Sequence, residues 1–153
     1  MANTYTQLNT QIVFAVQGRE NIITKGFKEE LNRYIYGILK NEGHFPLAIN
    51  GSSDHIHLFF EQLPTKSTSD LARIVKTNSS KWINENHFVV GHFHWQEGFG
   101  AFSYSRSQRD EVIKYIIMQE EHHKKQSFKT EYLEFLKKFN IQFDEQYLFD
   151  WLE

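Results

Sequence analysis

The triplet His55-Ile56-His57 is the first candidate for chemistry in this sequence. It opens a run, ending at Gln62 before Pro64, whose composition predicts a β-strand. Side chains at positions i and i+2 of a strand project from the same face, so the two imidazoles should lie side by side. Two neutral imidazoles so placed can hold one divalent ion. The triplet alone is equally consistent with two ordinary polar residues on a half-exposed strand.

A second candidate is the pair Tyr115 and Gln119, whose spacing of four places both side chains on one face of a helix predicted to start near Ser107. A tyrosine hydroxyl, with an ordinary pKa of about 10, becomes a useful nucleophile when a metal ion polarises the phosphate that it attacks. A carboxamide oxygen is an acceptable third ligand for Mg²⁺ or Mn²⁺. Taken singly, each residue is more simply explained as part of a solvated helix surface. We expect His122 and His123 to lie beside the site or in solvent.

The rest of the sequence predicts the elements that must position these residues. Alternating apolar residues predict a strand over 6–16, and short runs beside turn-forming residues predict strands over 45–50 and 55–62, with a fourth strand at 99–104. Apolar residues spaced by three and four predict helices from 23 to 39, from Ser67 or Ser69 to Ile83, from Ser105 or Ser107 onward, and from 128 to 139. The order βαββαβ with C-terminal helices specifies an α+β fold, a ferredoxin-like or RRM-like antiparallel sheet with helices packed on it. We expect one domain over 1–153, with its core at about 4–125 and a helical extension at about 126–153.

Composition narrows the classes of function. The chain has 153 residues, 40% of them hydrophobic, and no cysteine, so one domain is expected and thiolate metal sites are excluded. A net charge of −2 argues against a generic nucleic-acid coat, but the acidic excess lies in 131–153, which leaves a local phosphate-binding surface possible. No apolar run approaches the roughly 18 residues that span a bilayer. We therefore expect no membrane partner and a cytoplasmic protein.

Together, the two motifs resemble those of a known family. The single-tyrosine transposases of the HUH nuclease superfamily, of the IS200-like type, carry a His-hydrophobe-His strand, which Asp54-His55-Ile56-His57-Leu58 matches. They also carry a late helix with a Tyr-x-x-x-Gln signature, which Tyr115-Ile-Ile-Met-Gln119 matches. The stretch from Trp95 to Ser105 is similar to the family's approach to that helix. The resemblance covers about 4–125.

The resemblance implies a DNA transposase and site-specific single-strand endonuclease that uses a divalent metal, Mg²⁺ or Mn²⁺. In such an enzyme His55, His57 and Gln119 would bind the metal, and Tyr115 would attack single-stranded DNA at hairpin-marked ends. A 5′-phosphotyrosine link would form, and strands would be rejoined without ATP. The family further implies a homodimer in which the tyrosine helix of one subunit completes the metal site of the other, or returns to its own subunit in another state.

The DNA contacts are expected among basic side chains near the tyrosine and on the second helix, although a solvated helix face explains the second group at least as well. In order of preference they are Arg106, Arg109 and Lys114, then Arg73, Lys76 and Lys81. The segment before the tyrosine helix, Ser105-Arg106-Ser107, lacks the glycine that often forms a hinge in the family.

Three other interpretations remain open at this point. A domesticated relative that cuts palindromic DNA would share the same chemistry. A non-catalytic nucleic-acid-binding module of the RRM type would bind DNA or RNA without cleaving it. A metal-binding regulator would need neither Tyr115 nor DNA.

Overall fold

The computed structural model describes residues 3–18, 23–119, 121 and 126–151. In the described part of the chain, four strands and four helices of at least nine residues follow one another in the predicted order. They are β1 (Asn9–Ala15), α1 (Lys25–Asn41), β2 (Phe45–Gly51), β3 (His55–Glu61), α2 (Thr68–Glu85), β4 (Gly100–Tyr104), α3 (Arg109–Ile117) and α4 (Phe128–Lys138).

The four strands form one sheet in the order β2-β3-β1-β4, and each neighbouring pair is antiparallel. This is the strand order of the ferredoxin-like fold, so the predicted α+β class is confirmed. Because β1 and β3 are the two central strands, the His55-Ile56-His57 triplet lies in the middle of the sheet, with His57 opposite Val13 of β1.

Local sequence signals account for where the helices begin. The Ser67 side chain accepts a hydrogen bond from the backbone N–H of Asp70 and thereby caps α2, so Ser67 rather than Ser69 is the start. Before α3, Ser105 forms a capping box with Gln108 around a short 3₁₀ turn, and the backbone N–H of Ser105 donates to Gln108 Oε1 at 3.0 Å. The predicted alternative Ser107 lies inside that turn.

The two faces of the sheet differ in chemistry. One face is apolar, and Phe14 on it packs against Trp95, whose indole N–H donates to Ser79 of α2 at 2.9 Å. The opposite face carries His55 and His57 together with aromatic residues of β4, and α3 and α4 cover it. We call this second face the site face.

Gly100 allows α4 to approach the site face closely. A Cβ atom added to Gly100 would lie 2.6 Å from the hydroxyl oxygen of Tyr132 in α4. Since Tyr132 is buried, its ring has little room to move away. A side chain at position 100 would therefore push α4 off the sheet.

The C-terminal segment after α4 packs on the same chain. The side-chain amide of Gln96 donates to the carbonyl oxygen of Asp150 at 2.8 Å, and its Oε1 accepts from the backbone N–H of Asp150 at 2.7 Å. Next to this pair, the buried ring of Phe149 stacks on Phe128 with centroids 5.9 Å apart. In the described residues, no helix has both the length and the apolar character needed to cross a membrane.

Candidate metal centre and active site

The two histidines of β3 lie side by side beneath α3 and α4. Their ring centroids are 5.1 Å apart, and His55 and His57 are 1% and 0% exposed. The outer nitrogen of each ring has its own partner: Asp54 Oδ1 lies 2.8 Å from Nδ1 of His55, and the Gln11 amide lies 2.8 Å from Nδ1 of His57. The Tyr104 hydroxyl in turn donates to Gln11 Oε1 at 2.6 Å. These contacts fix the orientation of both rings.

Both inner nitrogens face one carboxylate. Glu131 Oε1 lies 3.2 Å from Nε2 of His55 and 3.2 Å from Nε2 of His57. Gln119 Oε1 lies 2.9 Å from the same Nε2 atom of His55. Two imidazole nitrogens, one carboxylate and one carboxamide oxygen therefore meet on the site face.

The tyrosine helix α3 is held on its own sheet at both ends. At its start, Arg109 pairs with Glu61 of β3 at 2.6 Å and donates to Asn9 Oδ1 at 2.8 Å. At its end, the Asn50 side chain of β2 donates to the carbonyl oxygens of Ile116 and Ile117 at 3.1 and 2.9 Å. Tyr115, Gln119 and both histidines are therefore brought together within one chain.

Tyr115 and Gln119 point to the same place, although the helix does not run straight between them. α3 ends at Ile117, and Met118 (φ −94°, ψ 25°) turns the chain before Gln119. The Tyr115 hydroxyl donates to Glu131 Oε2, and Gln119 Nε2 donates to the same oxygen at 3.1 Å. His122 and His123 lie outside the described residues.

A cavity of about 300 Å³ opens beside Tyr115. Its walls come from β1, β4, α3 and α4, and among the residues that line it are Gln11, Tyr104, Gln108, Glu111, Glu134 and Lys138. The cavity reaches the half-buried Tyr115 ring, whereas both histidines are closed off by α4, with the Phe128 ring stacked 4.0 Å from the His55 ring.

Burial, hydrogen bonds and charges in this cluster shift the pKa of each group. Burial lowers the pKa of His55, but hydrogen bonds and charges from Asp54 and Glu131 outweigh it and raise the pKa to about 9. Burial lowers the pKa of His57 below its ordinary value, which favours the neutral imidazole. Burial, reinforced by the Glu131 charge, raises the pKa of Tyr115 well above its usual range. The phenol therefore stays protonated at neutral pH.

Glu131 itself is held as a carboxylate. Burial raises the pKa of this group, but electrostatic interactions and hydrogen bonds with His57 and His55 outweigh burial and keep the pKa well below its usual range. An anionic oxygen between two imidazole nitrogens has the donor chemistry that a divalent cation requires.

The donor set fits a metal ion. One ligand atom each from His55, His57 and Glu131 lie within 4.8 Å of one another, and all three side chains are buried. Among the described residues, this is the only group of three His, Asp or Glu side chains so arranged. The carboxamide of Gln119, predicted as the third ligand, lies against the same atoms.

The structure places the six predicted DNA-contacting residues in two regions. Arg106, just before the tyrosine helix, and Lys114, within it, are exposed, whereas Arg109 is engaged with Glu61. Arg73, Lys76 and Lys81 of α2 line a groove of about 860 Å³ formed with the segment 92–99, on the other side of the sheet.

Lys76 in that groove is already satisfied within the protein. Its ammonium donates to the carbonyl oxygens of Gln96, at 2.9 Å, and of Gly98, and it lies 5.3 Å from the Phe14 ring centroid. Burial lowers the pKa of Lys76 to about 8. The two other predicted cations of α2, Arg73 and Lys81, remain exposed.

Sequence reasoning missed Glu131. It treated 131–153 as an acidic tail, but α4 buries Glu131 on the same side as Phe128 and Tyr132. A charged residue within the apolar stripe of a predicted amphipathic helix was the available signal, because a buried charge requires a partner.

Solved structures of other proteins share the fold of this chain. A solved structure of a Deinococcus radiodurans R1 protein assigned as a transposase superposes with a TM-score of 0.60 at 18% identity, covering 76% of this chain and 94% of that one. A REP-associated tyrosine transposase bound to a REP hairpin superposes with a TM-score of 0.58 at 13% identity, covering 79% of this chain and 72% of that one.

At identities of 18% and 13%, the structural similarity shows that this chain and the two solved proteins share a fold. A comparison with curated protein sequences finds no significant match. The sequence model of the IS200-like transposases matches residues 4–119, which include both histidines of β3, Tyr115 and Gln119. The chain therefore belongs to the family of IS200-like transposases.

Proposed function

We propose that this transposase cuts and rejoins single-stranded DNA at hairpin-marked ends in a metal-dependent reaction, with Tyr115 as the nucleophile. The observation that carries the proposal is the meeting of the Tyr115 hydroxyl and the inner nitrogens of His55 and His57 on one buried carboxylate, Glu131. A phenol so close to a candidate metal centre has the position required of an activated nucleophile.

The metal site of this proposal uses His55, His57 and Gln119. Asp54 contacts Nδ1 of His55, and Gln11 contacts Nδ1 of His57. These contacts keep both Nε2 atoms directed inward. A Mg²⁺ or Mn²⁺ ion bound there would polarise the scissile phosphate and stabilise the departing oxygen.

In the proposed cleavage step, the Tyr115 oxygen attacks the phosphorus of a DNA phosphodiester. A bond forms between that oxygen and phosphorus, and the bond from phosphorus to the 3′ oxygen breaks. The departing oxygen gains a proton, and the phenol loses one, so the products are a 5′-phosphotyrosine link and a free 3′-hydroxyl. Because the link retains a phosphodiester bond, a second 3′-hydroxyl can displace the tyrosine and rejoin the strand without ATP.

The hairpin specificity is supported by similarity of fold. The REP-associated relative was solved bound to a REP hairpin. In this chain, exposed Arg106 and Lys114 both precede Tyr115 in sequence, with Lys114 directly before it, and they can contact phosphates near the cleaved bond. Such a protein would act on the nucleoid, in the cytoplasm.

We further propose that each subunit assembles its site from its own residues. Arg109 and Asn50 fasten both ends of α3 to the sheet that carries His55 and His57. A homodimer stays a prediction. In this proposal each of its subunits keeps its own tyrosine helix.

The test of cleavage uses single-stranded oligonucleotides that carry the hairpins flanking the gene. We expect the wild-type protein, with Mg²⁺ or Mn²⁺, to become covalently attached to DNA, and denaturing electrophoresis detects the adduct. Tyr115→Phe should form no adduct, while Tyr147→Phe, which alters an exposed tyrosine at 79% exposure, should form it normally. Binding without cleavage by the wild type would instead favour the non-catalytic nucleic-acid-binding module.

The test of the site's assembly mixes two inactive variants, Tyr115→Phe and His57→Ala. If each site is built within one chain, the mixture should remain inactive. Activity restored by mixing would show that the tyrosine of one subunit serves the histidines of another, and would overturn the within-chain proposal.

A further inference from the structure

The helix α4 lies beyond residues 4–119 that match the family, yet it supplies a side chain to the centre of the site. Glu131 is 5% exposed and projects from α4 between the two histidines and the tyrosine. A carboxylate buried to this degree is stable only with partners that offset its lost hydration.

The position of Glu131 does not depend on these polar contacts alone. Its neighbour in sequence, Tyr132, fits over Gly100, and Phe128 one turn earlier stacks on the His55 ring. Phe135, one turn later, stacks on Phe102 with centroids 5.1 Å apart. Apolar packing on both sides therefore fixes α4 in the register that directs Glu131 inward.

The two carboxylate oxygens of Glu131 have different partners. Oε1 is equidistant, at 3.2 Å, from Nε2 of His55 and Nε2 of His57. Oε2 accepts hydrogen bonds from Gln119 Nε2 and from the Tyr115 hydroxyl. One oxygen thus faces the candidate metal position, and the other holds the nucleophile.

We propose that Glu131 is a metal ligand through Oε1 and a positioning residue for Tyr115 through Oε2. This inference deepens the proposed function and rests on its metal site. It makes α4 a required part of the active site, and it couples the nucleophile to the metal by a single side chain.

The test measures Mn²⁺ binding to the full chain by titration calorimetry in the absence of DNA. We expect Glu131→Gln, which preserves shape and removes charge, to weaken Mn²⁺ binding on the order of tenfold to a hundredfold. Glu145→Gln makes the same change at an exposed position of the C-terminal segment and should bind Mn²⁺ within about twofold of the wild type.

Equal Mn²⁺ affinity in Glu131→Gln and the wild type would overturn the ligand assignment. Tighter binding in the variant would also overturn it, since the carboxylate would then be an internal competitor that leaves when the ion arrives. If Glu131→Gln fails to fold, Glu131→Asp provides the measurement, because it keeps the charge and shortens the reach. Its Mn²⁺ affinity should also fall, and an unchanged value would overturn the proposal.

The positioning role has its own readout. In single-turnover cleavage at saturating Mn²⁺ and saturating DNA, Glu131→Gln should still form the adduct more slowly than the wild type. A rate equal to the wild type would remove the positioning role. If the wild type binds Mn²⁺ and the variant does not, but neither cleaves DNA, then Glu131 stands as a ligand and the proposed transposition chemistry fails.

Discussion

Two triplets of the form His-apolar-His occur in the described chain, and they lie in different surroundings. His55-Ile56-His57 belongs to the central strand β3, whereas His92-Phe93-His94 belongs to the irregular segment between α2 and β4. The two imidazoles are close in both, with ring centroids 5.1 Å apart in the first triplet and 4.5 Å apart in the second.

The partners of the imidazoles differ. In β3, Asp54 and Gln11 hold the outer ring nitrogens and Glu131 lies between the inner ones. In the second triplet both histidines are exposed, and the contact of His92 is with the Asn84 amide at 3.3 Å. Of the two pairs, only the first belongs to a group of three potential ligands within the described residues.

The spacing of two histidines therefore brings their rings together but does not make a metal centre. Burial and a third, anionic donor from a distant part of the chain distinguish the β3 pair. Glu131 of α4, 74 residues beyond His57 in sequence, supplies that donor.

Removing one histidine from each triplet should affect activity very differently. We expect His57→Ala to lower the rate of adduct formation by a hundredfold or more, on the order of magnitude seen when metal sites lose key groups, while the fold is retained. His94→Ala should remain within about threefold of the wild type, since an exposed substitution is usually mild. Single-turnover cleavage measures the rates, and circular dichroism checks the fold. Full activity of His57→Ala would remove the claim that His57 binds the metal.

The raised pKa of His55, about 9, gives the β3 site a pH dependence. A cation binds the neutral imidazole, so below pH 9 binding must displace a proton. Apparent Mn²⁺ affinity should therefore rise with pH, by roughly tenfold per unit between pH 7 and 8, and level off above about 9. Calorimetry in buffers of different ionisation enthalpy should detect about one proton released per ion at pH 7.5. No proton release would contradict the assignment of His55 as a protonated group that becomes a ligand.

Weakening the packing of α4 on β4 should disturb the surroundings of His55-Ile56-His57 and leave those of His92-Phe93-His94 unchanged. We expect Gly100→Ala to lower the free energy of unfolding by about 1–2 kcal/mol, because its Cβ would crowd Tyr132. Gly37→Ala is the matched control: Gly37 lies in α1 with nothing within 4 Å of an added Cβ, and this change should stabilise the protein by about 0.5–1 kcal/mol. Urea unfolding measures both. Equal stability of Gly100→Ala and the wild type would show that α4 is not seated against β4.

The smallest expected effect concerns the groove that contains the second triplet. Arg73→Ala should weaken hairpin DNA binding by about threefold and reduce the salt dependence by about one phosphate contact. Lys40→Ala, at an exposed position of α1, is the control and should change neither the affinity nor the salt dependence. Fluorescence polarisation at several salt concentrations measures both. An unchanged affinity and salt slope for Arg73→Ala would place the DNA elsewhere, next to Arg106 and Lys114.

The order of elements could be predicted because it depends on local pattern. Alternation predicted β1, the spacing of apolar residues predicted α1, and Ser67 and Ser69 were the two predicted starts of α2, of which Ser67 is the one in the structure. The detailed end of α3 could not be predicted in the same way, because Met118 has no property that stops a helix and the turn there is held by Asn50 of β2.

Local geometry was enough to identify which residues could do chemistry and which elements carry them: the i, i+2 histidines of a strand and the Tyr115/Gln119 spacing of a helix. That these two motifs meet within one chain, and that Glu131 lies between them, is evident only from the folded structure. The approach of α4 depends on packing between residues distant in sequence, such as Gly100 beneath Tyr132 and His55 beneath Phe128. Local periodicity carries no information about such contacts.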